Sequence, residues 1–279
     1  MPPRGTKDQR SAVRLGWTPS LTAYRYPMSF DVAAEAYDQF MGRYSVQLSP
    51  QLADLAGVRD GQRALDVGCG PGALTAELVT RLGASFVAAV DPSEPFVAAA
   101  RARHAGVDVR QASAERLPFP DRAFNAALAQ LVVHFMTDPV AGLAEMARVT
   151  RRDGVVAACV WDHAGGQGPL SLFWQAAHTM DPGIHDESQL AGAREGHLAE
   201  LFEAAGLHEI ESAALSADLE HPDFDAWWEP FTRGVGPAGA YVASLDAERR
   251  TELRERCRSL LPTGPFVITA KAWAARGLV

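Results

Sequence analysis

Short apolar runs alternate along this chain with longer segments whose apolar residues recur every three or four positions. An uninterrupted apolar run predicts a buried strand, and the longer spacing predicts a helix that buries one face. The alternation extends from about residue 63 to residue 219. It therefore predicts an α/β fold in which helices cover both faces of a mainly parallel sheet.

Seven strands and the helices around them can be placed from this pattern. The predicted strands are 63–67, 86–90, 107–110, 124–130, 155–160, 207–219 and 266–273. The predicted helices between them are 72–82, 94–103, 139–150, 170–180 and 196–205. A further helix is predicted over 30–55, ahead of the first strand.

A long segment, residues 220–265, separates the last two predicted strands. Its apolar residues at helical spacing are Phe224, Trp227, Trp228 and Phe231, followed by Leu253, Cys257, Leu260 and Leu261. Ser244 is the predicted N-cap of the second helix. Loops of this length usually have structure and function of their own. We expect a helical insertion that caps a substrate site, and core packing is the alternative for its tryptophan-rich face.

The composition limits the possible partners. The chain has 279 residues, 22% of them charged, and a formal net charge of −8. A negative balance argues against a general affinity for nucleic acid, and no apolar run approaches the length of a membrane span. Cys69, Cys159 and Cys257 are scattered without metal-ligand spacing, which favours a reducing compartment. We expect a cytoplasmic monomer or homodimer with no metal ion and no nucleic-acid or membrane partner.

Residues 1–27 contain five basic residues and one acidic residue, and glycines and prolines interrupt any helical pattern. This composition predicts a disordered basic tail. A solvated tail, or a translation start at Met28, is the favoured interpretation, and an arginine-rich transit peptide is the alternative. Residues 28–279 are expected to form one domain.

The most informative stretch is the turn that follows the first predicted strand. Residues 64–72 read Ala-Leu-Asp-Val-Gly-Cys-Gly-Pro-Gly. Gly68 and Gly70 let the backbone approach a nucleotide-like ligand because no Cβ intervenes. With Ala73 they also fit the dinucleotide-binding fingerprint. Asp66 argues against that assignment, since a carboxylate disfavours a pyrophosphate at this turn and favours a cationic group.

On these residues the chain resembles the class I S-adenosylmethionine (SAM)-dependent methyltransferases, in particular the type 11 family. SAM has a nucleoside at one end, an ammonium and a sulfonium at the other, and no phosphate. Residues 37–43 resemble the family's Tyr-Asp-x-Phe-Met-Gly-Arg segment, and residues 111–119 resemble its Gly-Asp-Ala-Glu-x-Leu-Pro-Phe segment. The resemblance implies a Rossmann-like sheet of order 3-2-1-4-5-7-6 with an antiparallel last strand. It also implies SAM as methyl donor and a small-molecule acceptor.

The resemblance further implies the SAM-binding residues. Asp66 and the glycine turn are expected to hold the methionine portion. Asp91, just after the second strand, is expected to accept from the ribose hydroxyls, and capping the next helix is its alternative. Ser113 stands where the family has an aspartate that accepts a hydrogen bond from the adenine amino group. A neutral hydroxyl accepts such a bond more weakly than a carboxylate does. Backbone groups around Ser113 and Ala114 are therefore expected to contribute to adenine binding. The other expected contacts are Tyr37, Arg43, Pro92 and Gln130.

Methyl transfer to a hydroxyl or a carbon acid also needs a base near the nucleophile. His134, just past the fourth strand, is the first candidate, and His163, in a glycine-rich loop after the fifth, is the second. An ordinary polar loop residue is the alternative for each. Two other functions remain open here: a nicotinamide-dependent oxidoreductase that uses the same turn, and a non-catalytic regulatory protein that binds SAM.

Overall fold

The structure is a computed structural model that describes residues 34–279. The predicted tail, residues 1–27, lies outside the described residues. The described chain begins with α1 (Ala34–Tyr37), passes through a π-helical segment (Asp38–Gly42), and continues as α2 (Arg43–Leu55). The helix predicted over 30–55 is therefore two α-helical pieces joined by a wider turn, which apolar spacing alone does not predict.

The seven predicted strands are present. They are β1 (Ala64–Val67), β2 (Val87–Asp91), β3 (Asp108–Gln111), β4 (Phe124–Gln130), β5 (Thr150–Trp161), β6 (His208–His221) and β7 (Phe266–Leu278). The helices after β1 are α3 (Ala73–Leu82), α4 (Glu94–Arg103), α5 (Pro139–Val149), α6 (Ser171–Met180), α7 (His197–Ala204), α8 (Phe224–Trp228), α9 (Gly236–Ser244) and α10 (Ala247–Ser259).

The strands form one sheet of order β3-β2-β1-β4-β5-β7-β6. β1 pairs in parallel with β2 and β4, with Leu65 opposite Ala88 on one side and Ala127 on the other. β7 runs antiparallel to both of its neighbours, β5 and β6. The predicted Rossmann-like fold, strand order and reversed last strand are confirmed.

Helices cover both faces of the sheet, and this explains why the central strands are apolar throughout. Every residue of β1 and β2 is buried. Leu143 of α5 and Phe202 of α7 belong to the core on one face, whereas Leu52 of α2 and Leu78 of α3 belong to the core on the other. A strand covered on both faces reads as a continuous apolar run rather than as an alternating one.

The segment between β6 and β7 is helical, as predicted. It contains α8, a 3-10 turn (Glu229–Arg233), α9 and α10. All four residues of the tryptophan-rich face are buried in an aromatic cluster that also includes side chains of α6. In this cluster the ring of Phe231 stacks on the ring of Phe173 from α6, with the centroids 4.6 Å apart. The predicted cap of α10 was wrong by two residues, because Asp246 rather than Ser244 accepts a hydrogen bond from the Arg249 N–H.

None of the described helices has both the length and the apolar character that crossing a membrane requires.

The aromatic cluster should make a large contribution to stability. Phe173 is fully buried, so Phe173→Ala is expected to lower the free energy of unfolding by about 3–5 kcal/mol through lost burial and a residual cavity. Val267→Ala is the control, since Val267 is 52% exposed and its truncation should cost less than about 0.5 kcal/mol. Urea unfolding followed by circular dichroism measures both, and equal losses would contradict the assignment of the cluster to the core.

Candidate active site

A cleft opens at the carboxyl edge of the sheet, beyond the ends of β1, β2 and β4. In open α/β sheets this edge is where ligands bind. The residues that line it include Tyr37, Asp66, Gly68, Gly70, Asp91, Pro92 and Gln130. Seven of the ten residues expected from the sequence to contact SAM are therefore on its wall.

The glycine turn forms the floor of the cleft. Gly68 and Gly70 both have positive φ, at 71° and 53°, a region that residues with a Cβ rarely adopt. A Cβ at Gly68 would also collide with the side chain of Val132, whereas a Cβ at Gly70 would meet no atom of the described residues within 4 Å. Gly68 is thus needed for packing, and Gly70 leaves room for a ligand against the backbone.

Asp66 is less accessible than its place in the sequence suggests. Its side chain is buried at the end of β1, and Oδ2 accepts a hydrogen bond of 2.6 Å from the Thr75 hydroxyl. Burial raises the pKa of the carboxyl to about 7, although the bond from Thr75 acts in the opposite direction. Oδ1 has no hydrogen-bond partner among the described residues. Asp66 therefore offers the cleft one unsatisfied acceptor.

Asp91 stabilises the turn. Its Oδ2 accepts from the Gly70 N–H and its Oδ1 from the Ser93 N–H, each at 2.9 Å. Burial raises the pKa of Asp91, and the two backbone bonds partly offset that shift. Ser93 occupies the N-cap position of α4. The carboxylate keeps further lone pairs that a hydroxyl donor in the cleft could use.

Gln130 links the sheet to the N-terminal helix. Its Nε2 donates to the Ser45 carbonyl at 3.0 Å, and its Oε1 is buried without a partner among the described residues. Two orphaned oxygens, Asp66 Oδ1 and Gln130 Oε1, thus belong to side chains that line one cleft. A ligand ammonium is a donor that could satisfy both, so the residues present fit the amino-acid end of SAM.

The N-terminal helix covers one side of the cleft. The Tyr37 ring packs edge-on against Phe96 at 5.3 Å, and Asp38 forms an ion pair with Arg103 of α4 at 2.6 Å. Both Tyr37 and Asp38 line the cleft. These two contacts join the N-terminal helical segment to α4 at the edge of the cleft.

Three of the expected SAM contacts are not on the cleft wall. Arg43 donates from Nη2 to the Glu220 carbonyl at the end of β6, at 3.2 Å. Ser113 and Ala114 follow β3, and Ala114 is buried in the core beside α5. Their roles toward SAM stay predictions.

A second cavity, which we call the inner chamber, adjoins the cleft and shares Tyr37, Leu131 and Phe135 with it. Leu131 has φ of 61°, a conformation that costs a branched residue free energy and is often found at functional sites. The remaining wall is Phe40, Met41, His134, Trp161, His163, Leu170, Glu187, Val235, Gly236 and Pro237. The last three come from the segment between β6 and β7.

The inner chamber brings together both predicted histidines. Their rings are 5.8 Å apart between centroids, and His134 Nδ1 and His163 Nε2 are buried without partners in the described part of the chain. Burial lowers the pKa of His134 well below its ordinary value, and His163 adds to this shift. Glu187 lies beside them, with Oε2 4.0 Å from His163 Nδ1 and 2.9 Å from Trp174 Nε1, which donates to it.

The structure adds residues that sequence reasoning missed, chiefly Ser45 and Glu187. Glu187 lies in a short 3-10 turn (Glu187–Gln189) with no periodic pattern, and only the packing of α6 brings Trp174 against it. Within residues 34–279, no three His, Cys, Asp or Glu side chains are grouped so that they could hold a metal ion.

The strand order with a reversed last strand, and the glycine-floored cleft, define a class I, Rossmann-like methyltransferase fold. Residues 65–158 match the family described as "Methyltransferase domain". A demethylmenaquinone methyltransferase from a Mycobacterium species (strain KMS) is 36% identical over 210 residues, which cover 71% of this chain and 86% of that enzyme. The chain therefore belongs to the class I SAM-dependent methyltransferases, and it is an enzyme of that family.

Two further similarities agree with this family. A malonyl-[acyl-carrier protein] O-methyltransferase from Erwinia billingiae is 33% identical over 147 residues, which cover 53% of this chain and 57% of that enzyme. The solved structure of phosphoethanolamine N-methyltransferase 2 from Haemonchus contortus, in complex with S-adenosylhomocysteine, has a TM-score of 0.56 at 16% identity. The superposed region covers 89% of this chain and 57% of the Haemonchus chain. At this low identity the similarity shows the fold alone. The family favours methyl transfer over the nicotinamide alternative.

The buried carboxyl of Asp66 should affect stability in a pH-dependent way. Its folded pKa, about 7, exceeds the ordinary value of 3.8, so the folded state binds the proton more tightly than the unfolded state does. Stability is therefore lost as the pH rises from about 4 to about 7. Asp66→Asn removes this cost, and its gain in unfolding free energy should be larger at about pH 8 than at about pH 5.

Thermal unfolding of the ligand-free protein at both pH values measures this gain. Asp108→Asn is the matched control, because Arg110 lowers the pKa of Asp108 and its loss should bring no gain at pH 8. A gain of the same size at both pH values in Asp66→Asn would contradict the raised pKa.

Proposed function

We propose that the enzyme transfers the methyl group of SAM to a small, largely apolar molecule, with SAM in the cleft and the acceptor in the inner chamber. The observation that supports this proposal is that the two cavities share a wall, which is formed by Tyr37, Leu131 and Phe135. One cavity holds orphaned acceptors suited to an ammonium group, and the other holds two histidines among aromatic and aliphatic side chains.

SAM supplies the reactivity, because its sulfonium is an excellent leaving group. The protein's part is then mainly to bind and orient. Asp66 and Gln130 would hold the ammonium group and Asp91 the ribose hydroxyls, which fixes the direction in which the methyl group points. Holding nucleophile, carbon and sulfur in line is worth several kcal/mol of the barrier. One of the two histidines, His134 or His163, would receive the proton that the acceptor loses.

The position of residues 220–265 also supports the proposal that the acceptor is a small molecule. The tryptophans of this segment are used in its own core, but Val235, Gly236 and Pro237 line the inner chamber opposite Leu131 and Trp161. We take the segment to be a cap that encloses the acceptor. The relatives' names specify different acceptors, so the chemistry of this chamber, rather than any one relative, determines the proposal. The expected cytoplasmic location and the monomer or homodimer state belong to the same proposal.

Binding of SAM tests the cleft. Titration calorimetry should detect SAM and S-adenosylhomocysteine binding, and no binding of NADH or NADPH. Asp91→Ala should weaken SAM at least tenfold, because a hydrogen bond to a charged group contributes about 1.5–3 kcal/mol. Asp108→Ala, at an exposed carboxylate of β3, should leave the affinity within about twofold. Absence of SAM binding by the folded protein, or dinucleotide binding in its place, would refute the assignment.

The turnover of histidine variants tests whether the inner chamber contains the catalytic base. Once a methyl-donor assay over a panel of small metabolites identifies an acceptor, at least one of the variants His134→Ala and His163→Ala should lower kcat by about 10²-fold, the usual contribution of a positioned acid or base. The Kd for SAM should change by less than about twofold, since neither ring lines the cleft. Unchanged turnover in both variants would remove the histidines from the mechanism.

A further inference from the structure

Glu187 is a carboxylate in a chamber that is otherwise lined by two histidines and by aromatic and aliphatic side chains, and it has no role in the proposed function above. It is 3% exposed, and its Oε2 is the acceptor for the indole N–H of Trp174. A buried carboxylate with one neutral hydrogen bond needs a further favourable partner. Among the described residues, the nearest group that can become cationic is the His163 ring, with Nδ1 at 4.0 Å.

Because Glu187 lies on the Nδ1 side of the His163 ring, it influences which ring nitrogen carries the proton and which one is left to accept a proton from the acceptor. A proton on Nδ1 lies on the Glu187 side of the ring and is attracted by the carboxylate, whereas a proton on Nε2 gains little from it. Nε2 is buried and has no hydrogen-bond partner among residues 34–279. Glu187 therefore favours the tautomer in which Nε2, the ring nitrogen away from the carboxylate, carries the lone pair.

The same contact distinguishes the two histidines. When a base takes a proton its ring becomes cationic. Of the two rings, only that of His163 has a carboxylate within 4.0 Å in the described part of the chain to stabilise that charge. Burial and the neighbouring ring lower the pKa of His134, so a proton on this ring is disfavoured. Two charged rings 5.8 Å apart between centroids would also repel each other, so only one of them gains the proton.

The charge balance of the chamber then restricts the acceptor. No arginine or lysine lines the chamber among the described residues, while Glu187 supplies a negative charge. A carboxylate or phosphate group bound there would lose its hydration next to a like charge. A neutral hydroxyl on an apolar ring or chain meets no such penalty.

We propose that Glu187 is the positioning residue that directs the Nε2 lone pair of His163 toward the acceptor, and that the acceptor is accordingly an apolar phenol or enol rather than an anionic one. The inference rests on the proposed function. In the step, the hydroxyl oxygen bonds to the methyl carbon while its proton moves to His163 Nε2. The carbon–sulfur bond breaks, and its electron pair stays on sulfur, leaving a neutral thioether. The resulting imidazolium lies beside Glu187.

The tautomer of His163 can be measured without any acceptor. Two-bond 1H–15N correlation spectra of the protein at about pH 9, where imidazole is ordinarily neutral, distinguish a proton on Nδ1 from one on Nε2. We expect Nδ1–H for His163 in the parent protein. Trp174→Phe removes the indole donor but keeps the carboxylate, so it should keep the same tautomer.

The matched variant is Trp174→Phe combined with Glu187→Leu. Removing both partners of a buried hydrogen bond is far less destabilising than removing one, so the pair can be compared in folded protein. The Nδ1–H preference should be lost only in the double variant. An Nε2–H form of His163 in the parent, or the same tautomer in both variants, would overturn the positioning role.

The acceptor class is tested with 2-naphthol and 2-naphthoate, which share a ring system and differ in charge. With the protein saturated by S-adenosylhomocysteine, calorimetry at about pH 7.5 should show 2-naphthol binding at least tenfold more tightly, and a smaller ratio in the double variant. Equal or tighter binding of 2-naphthoate, or no binding of 2-naphthol up to millimolar concentration, would overturn the acceptor class. Failure to bind S-adenosylhomocysteine itself would instead refute the proposed function.

Discussion

Two oxygen atoms that have no donor within residues 34–279, Asp66 Oδ1 and Gln130 Oε1, are the constraint on which the candidate site depends. An acceptor removed from water and left unpaired costs free energy, and native proteins keep few of them. The fold tolerates this pair because β1 lies between β2 and β4 and is held by their backbone bonds and by cores on both faces. A ligand that brings donors to both oxygens would recover this cost, and under the proposed function this favours such a ligand before any catalytic group acts.

The sheet also explains why two cavities with different chemistry adjoin. The carboxyl ends of β1 and β2 supply acidic groups, Asp66 and Asp91, to the cleft. The carboxyl ends of β4 and β5 lead into His134 and His163 of the inner chamber. Leu131, which has a left-handed backbone conformation, lines both cavities. Its backbone amide donates to the Cys159 carbonyl of β5 at 2.9 Å. The boundary at Leu131 is therefore attached to the sheet by a backbone hydrogen bond, and Tyr37 of α1 and Phe135 of the 3-10 turn after β4 complete it.

Much of this arrangement could be predicted from the sequence, because it depends on local patterns. Buried strands, the glycine turn with Asp66, and Asp91 after β2 are signals within a few residues, and the strand order followed from the family resemblance. Glu187 and Ser45 could not be found this way, since each reaches the site only through packing between distant elements. Arg43 shows the opposite case: it matches a family segment, yet its guanidinium is bonded to the Glu220 carbonyl.

The wider turn at Asp38–Gly42 has a consequence for the evolution of such enzymes. Each residue of an α-helix rotates the following side chain by roughly 100°, so the extra residue in this turn changes the angle between α1 and α2. Tyr37 and Asp38 can then face the cleft while Arg43 points to β6. Gly42 makes room for this, since a Cβ there would lie 3.0 Å from Asp38 Oδ1. A single-residue deletion at this point would present a different set of side chains to the ligands, with the sheet untouched.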